Sequence, residues 1–207
     1  MIAQQSSTSQ TTTDSNALRR AVITVAVLNL AYFGVEFAVA VRIGAVSLFA
    51  DSIDFLEDAS INLLIALAVG WSAARRSRVG MALALIILVP GLATLWTAWQ
   101  KFLLPVAPAP IPLSLTGLGA LAVNLGAALL LVRFRHAKGS LTKAAFLSAR
   151  NDALANVAIV ATGFVTAATL SAWPDLVVGL AIAAMNADAA REVFAEARRE
   201  HVAAAEP

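Results

Sequence analysis

Ala50-Asp51-Ser52-Ile53-Asp54-Phe55-Leu56-Glu57-Asp58-Ala59-Ser60-Ile61-Asn62 puts four carboxyls into thirteen residues of an otherwise apolar run. Asp54 and Asp58 are four apart and share a helix face. Asp51 and Asn62 extend the same stripe, and Glu57 lies three residues from Asp54. In a soluble helix such a stripe would face water. The surrounding chain argues against that setting. It is 59% hydrophobic and only 14% charged, with a mean hydropathy of +0.78. Soluble domains average about 45–50% apolar and about 25% charged, so lipid is the better solvent for this composition.

Six runs approach the roughly 20 apolar residues needed to cross a bilayer core: 21–41, 45–71, 79–100, 111–132, 144–170 and 173–190. Basic residues set their direction. One side collects Arg19, Arg20, Arg75, Arg76, Arg78, Arg133, Arg135, Lys138, Lys143, Arg191, Arg198 and Arg199, against Arg42 and Lys101 on the other. The reading is an all-α membrane protein of six transmembrane helices with both termini cytoplasmic. Residues 1–17, rich in Ser, Thr and Gln, are expected to be a disordered cytoplasmic tail. Residues 18–190 form the membrane domain, and 191–207 form a short cytoplasmic helical tail. Pro90 is expected to kink the third run.

The fifth run carries a second polar stripe, Ser148, Asp152 and Asn156, again at spacing four. At 1.5 Å per residue, Asp54 and Asp58 lie roughly 14 and 20 Å from the outer end of their span, and Asp152 roughly 18 Å from outside. Asn29 and Asn124 fall near the same depth. A charged group at mid-membrane costs about 2.5–3.5 kcal/mol on insertion scales and is a functional signal by default. The competing reading, a structural network neutralised by Arg150, is disfavoured because Arg150 can snorkel to the surface. Clustered carboxyls at low dielectric need protons or a cation among them, which is chemistry suited to exchanging one for the other. Oxygen ligands suit hard or borderline ions. The chain has no cysteine, so thiolate sites and disulfides are excluded. His136 and His201 lie in a loop and the tail, where solvation is the ordinary fate. No Ser/His pair or HisGluxxHis motif supports an enzyme. The scattered arginines do not form a nucleic-acid-binding face.

The order of these features resembles the cation diffusion facilitator family of metal/proton antiporters. Its second helix typically reads Ser-x-Ser-Leu-x-Ala-Asp-Ser-x-(His/Asp)-x-x-x-Asp, which residues 44–58 follow closely. Asn29, Glu36 and the segment 173–183 are also similar to family positions. The resemblance implies a secondary transporter exporting a divalent cation in exchange for protons, with Asp54, Asp58 and Asp152 as metal ligands. Ser148, Asp51 and Asn151 are further candidates, because Ser148 stands where the family carries His, Asp or Asn. The candidate cargoes are Zn, Cd, Mn, Fe, Co and Ni; a hydroxyl is a poor zinc ligand, which tilts the expectation towards Mn, Fe, Co or Mg-like ions. No permanent cofactor is expected. The chain is read as a short form without the family's C-terminal cytoplasmic domain, placed in a bacterial inner membrane. A homodimer is expected through the third and sixth helices, where Gly91–Trp99 permits close approach. The alternative is a membrane protein that binds a metal ion as a scaffold without transporting it.

Overall fold

A computed structural model of the chain describes the backbone of residues 2–67, 73–132 and 140–203. Side chains are described for fewer positions, leaving out residues 1–15, most of 68–91, all of 133–151 and parts of 189–207. The described residues form six helices and no strand: α1 Ile2–Ile43, α2 Val46–Leu67, α3 Ala73–Leu103, α4 Pro110–Val132, α5 Ser140–Thr169 and α6 Trp173–Ala203. Three of them contain segments long and apolar enough to cross a membrane: Asn16–Ile43, Pro110–Val132 and Asp152–Thr169. Helix α2 falls short on that measure because of its carboxyls, the feature that singles it out for function.

Two boundaries differ from the sequence reading. Helix α1 runs back to Ile2 and so includes the Ser/Thr/Gln-rich stretch for which disorder was expected. Arg75, Arg76 and Arg78, taken as a connector, lie within the first turns of α3. The basic loop around His136 lies outside the described residues, as do the side chains of Pro90, Arg150 and His201.

Local chemistry accounts for the turns. Gly44 ends α1 with a positive φ of 65°, and Ala45 N–H donates back to the Ala40 carbonyl at 3.0 Å. This is a Schellman closure, in which glycine takes the left-handed position without a Cβ penalty. It reverses the chain within two residues, so α1 and α2 form an antiparallel hairpin. Pro105 and Pro108 lie in the connector before α4, and Pro110 opens that helix at a position where its missing N–H costs nothing. Leu170, at φ 51°, ends α5, and its N–H donates to the Thr166 carbonyl at 2.8 Å.

The helices associate as α1 with α2, α4 with α5, and α3 with α6, while α2 also packs against α3, α5 and α6. Side chains are distributed inside out relative to a soluble bundle. Val27, Leu30, Val41, Trp96, Leu115, Leu129, Phe164 and Val177 are exposed, whereas Asn29, Glu36, Asp51, Asp58, Asn124 and Asn156 are buried. Among the described residues, an apolar exterior around a polar interior suits a bilayer, because lipid solvates the outside and only the interior can pair polar groups.

The polar layer is bracketed by apolar packing. Val22, Val25, Ala66, Ala127 and Leu131 close one end of the bundle. Ala40, Leu48, Ala50, Leu113, Ile159 and Ile182 close the end that carries Gly44. Val46, Ala98 and Leu176 seat α2 against the α3–α6 pair.

Candidate metal site between α2 and α5

The two stripes marked in the sequence meet. Asp58 on α2 and Asp152 on α5 face each other with their carboxyls close enough to interact. Asn29 of α1 turns its amide Nδ2 to Asp58 Oδ2 at 3.4 Å, bringing a third helix to that level. Asp54 is half-buried one turn from Asp58 on the same helix. Asn62 spends its Nδ2 on the Asp58 backbone carbonyl at 2.8 Å. As they stand, the described residues contain no three acidic or imidazole side chains that converge on one point to hold an ion. Asp58 and Asp152 are thus a pair, with Asp54 beside them. Ser148 and Asn151 belong to α5, but their side chains lie outside the described residues.

Asp51 occupies a different level from the one its stripe suggests. Its Oδ2 accepts a hydrogen bond from Asn156 Nδ2 at 2.5 Å. Asn156 in turn accepts from Asn124 Nδ2 at 2.9 Å. The Glu36 carboxyl faces Asp51 across the α1–α2 hairpin, close enough to interact with it. The hairpin explains both levels. Glu36 and Asp51 lie about one and a half to two turns either side of Gly44, and Asn29 and Asp58 about two turns further on. Asn124, placed by depth at the Asp58 level, joins the Asp51 level instead.

The layer is rich in acceptors and short of donors. Asn29 Oδ1, both Glu36 oxygens, Asp51 Oδ1, Glu57 Oε2 and Asn62 Oδ1 are buried without a hydrogen-bond donor among the described residues. Buried acceptors of this kind are costly unless something electropositive answers them. The buried base among the described residues, Lys101, is engaged elsewhere.

That engagement is a site the sequence did not reveal. Lys101, counted above as an outer loop charge, is buried, and its Nζ reaches Asp175 Oδ2 at 2.7 Å and the Gly44 carbonyl at 2.5 Å. Asp175 also caps α2 from another helix. It accepts Val46 N–H at 2.8 Å, Ser47 N–H at 3.1 Å and Ser47 Oγ at 2.6 Å. One fully buried carboxylate therefore joins the ends of α1, α2, α3 and α6. A negative charge at a helix N-terminus is favourable through both the open N–H groups and the helix dipole. Further along α6, Asn186 Nδ2 donates to the Ala50 carbonyl at 3.1 Å, a second polar tie between α6 and α2.

A search of curated proteins returns no match. The sequence model of the cation efflux transmembrane domain matches residues 22–200, a span that contains every described member of the polar layer and both partners of the Lys101–Asp175 pair. With that match over most of its length, the chain belongs to the cation efflux family of membrane proteins.

Proposed function

We propose that the chain is a secondary transporter, and not an enzyme, that exports a divalent metal cation from the cytoplasm in exchange for protons. Asp58 and Asp152 are its central ligands, and Asp54 completes the set. Ser148 and Asn151 are secondary candidates; Asp51, held by Asn156 at another level, is not one of this set. The reading rests on one observation: carboxyls from α2 and α5 meet in the interior of a bundle whose exterior is apolar. Family membership supports movement of metal cations in general. The ion identity, the proton coupling and the ligand set are our own reading.

The chemistry follows from burial. Two carboxyls in contact at low dielectric cannot both stay ionised without a counterion. A divalent ion arriving from the cytoplasm displaces the protons they hold, and protons arriving from outside displace the ion. Asp54 must swing towards the pair to add a ligand, so binding is coupled to a change at α2. Six spans with cytoplasmic termini, in a bacterial inner membrane, place the Gly44 end outside. There the apolar cluster and the Lys101–Asp175 tie close the path. Rocking of α1, α2, α4 and α5 against α3 and α6 would alternate access. The exposed aromatic group Trp99, Phe102 and Trp173 lies at the outer end of α3 and α6, the pair through which a homodimer would form.

The absence of a converged three-ligand set favours a second reading, a protein that holds an ion without carrying it. Reconstituted vesicles with an internal pH dye separate the two. Zn, Cd, Mn, Fe, Co and Ni are offered in turn to wild type, Asp58→Asn and Asp152→Asn. Transport predicts metal-dependent proton movement in wild type, lost in both variants. No movement with any ion in folded wild type refutes transport. Ser148→His is expected to shift preference towards zinc if Ser148 faces the ion.

A further inference from the structure

The transport reading uses the Asp58–Asp152 level and leaves the second pair of buried acids without a task. Glu36 on α1 and Asp51 on α2 are both fully buried. Neither Glu36 oxygen has a hydrogen-bond donor among the described residues, and Asp51 Oδ1 has none either. What faces Glu36 is another carboxyl. By contrast, Asp51 Oδ2 is held by Asn156, which is itself braced by Asn124. That bracing spans α2, α4 and α5 and fixes one Asp51 oxygen, leaving the other free. Helices α1, α2, α4 and α5 thus converge on a spot where three carboxylate oxygens await an electropositive partner.

We infer that Glu36 and Asp51 form a second cation site, about 10 Å along the bundle from Asp58, that takes a hard divalent ion of the Mg or Mn type. The inference builds on the transport reading, as an outer station for the same cargo. Two negative charges on facing carboxylates balance one divalent ion. An ion held by only two protein carboxylates keeps several waters, as hard ions do readily. Zinc favours a closed set of nitrogen or sulfur ligands, and neither ligand type is available from Glu36, Asp51 or Asn156. The two levels share no ligand: Asn29 belongs to Asp58 and Asn156 to Asp51. Each level can therefore be emptied separately.

The test is Mn2+ stoichiometry on the full-length chain in detergent, measured by equilibrium dialysis with metal analysis. Wild type is expected to bind two ions per chain. Glu36→Gln and Asp51→Asn are each expected to bind one, with at least a tenfold loss of affinity for the other. The double variant Asp58→Asn, Asp152→Asn is expected to keep the ion at Glu36 and Asp51. A wild type that binds no ion overturns the inference, as does one that binds a single ion kept in Glu36→Gln and lost in the Asp58→Asn, Asp152→Asn double variant. It is also overturned if Glu36→Gln, monodisperse by size exclusion, still binds two; a shared proton is then what holds the pair together. If instead the double variant binds the same number as wild type while Glu36→Gln loses an ion, the Asp58–Asp152 reading falls and this one stands.

Discussion

Replacing Asp175 by Asn removes one charge and perturbs four helix ends. The carboxylate is fully buried and accepts from Lys101, from two backbone N–H groups and from the Ser47 hydroxyl. Asparagine keeps one acceptor oxygen and turns an NH2 towards donors. The Lys101 ammonium, 6% exposed at its side chain, is then left without a counter-charge, with only neutral carbonyl oxygens to accept from it. Removing one partner of a buried ion pair costs about 3–5 kcal/mol, because the other charge stays desolvated. For a chain of this size that corresponds to a fall in Tm of roughly 6–20 °C. Lys101→Met should cost less, since Asp175 retains its three other donors. The double variant Lys101→Met, Asp175→Asn should lose less than the sum of the singles, because neither charge is then stranded. Thermal unfolding in detergent, followed by tryptophan fluorescence, suits the region because Trp99, Phe102 and Trp173 pack together beside it. A loss below about 1 kcal/mol for Asp175→Asn, or strict additivity of the two changes, would refute the account of the tie.

Other expectations follow from single contacts. In Gly179→Ala the new Cβ would sit 2.7 Å from Ser47 N and the Val46 backbone, so α6 must move off α2. A stability loss of about 1–3 kcal/mol is expected in the same unfolding assay, and an unchanged midpoint counts against that close approach. Asn156→Ala strips Asp51 Oδ2 of its donor and Asn124 of its acceptor. It should cost about 1–3 kcal/mol, whereas Asn156→Asp would add a charge beside an existing one and cost more. The chain has no cysteine, so single cysteines report topology directly. Cysteines at positions 17 and 195 should label only from the cytoplasmic side and one at 106 only from outside; labelling of 17 and 106 from the same side contradicts an odd number of spans between them.

Spacing of four put Asp54 and Asp58 on one helix face, and counting residues from span ends put Asp152 near their depth. Neither says which neighbouring helix a face meets. Asp51 was therefore grouped with Asp54 and Asp58, although its partners are Glu36 and Asn156 at another level. A usable signal was present in the Gly44 turn: folding the chain there sets Glu36 opposite Asp51 and Asn29 opposite Asp58. Asp175 was harder to anticipate. It lies at the start of α6 and caps α2, a contact 129 residues away in sequence. Lys101 looked like a loop charge for the same reason: a buried ion pair between distant helix ends leaves no local periodicity. The helix limits at Arg75 and Ile2 slipped because charge and polarity mark where a span leaves lipid and not where its helix stops.

Transport as proposed requires one ion to be gripped from two helices at once. Crystals of wild type soaked with Mn2+ or Cd2+, measured for anomalous scattering, address it most directly. A peak is expected between Asp58 and Asp152, with carboxylate oxygens at roughly 2.0–2.6 Å. A full-occupancy peak elsewhere in the membrane domain, with those two carboxyls uncoordinated, would contradict it.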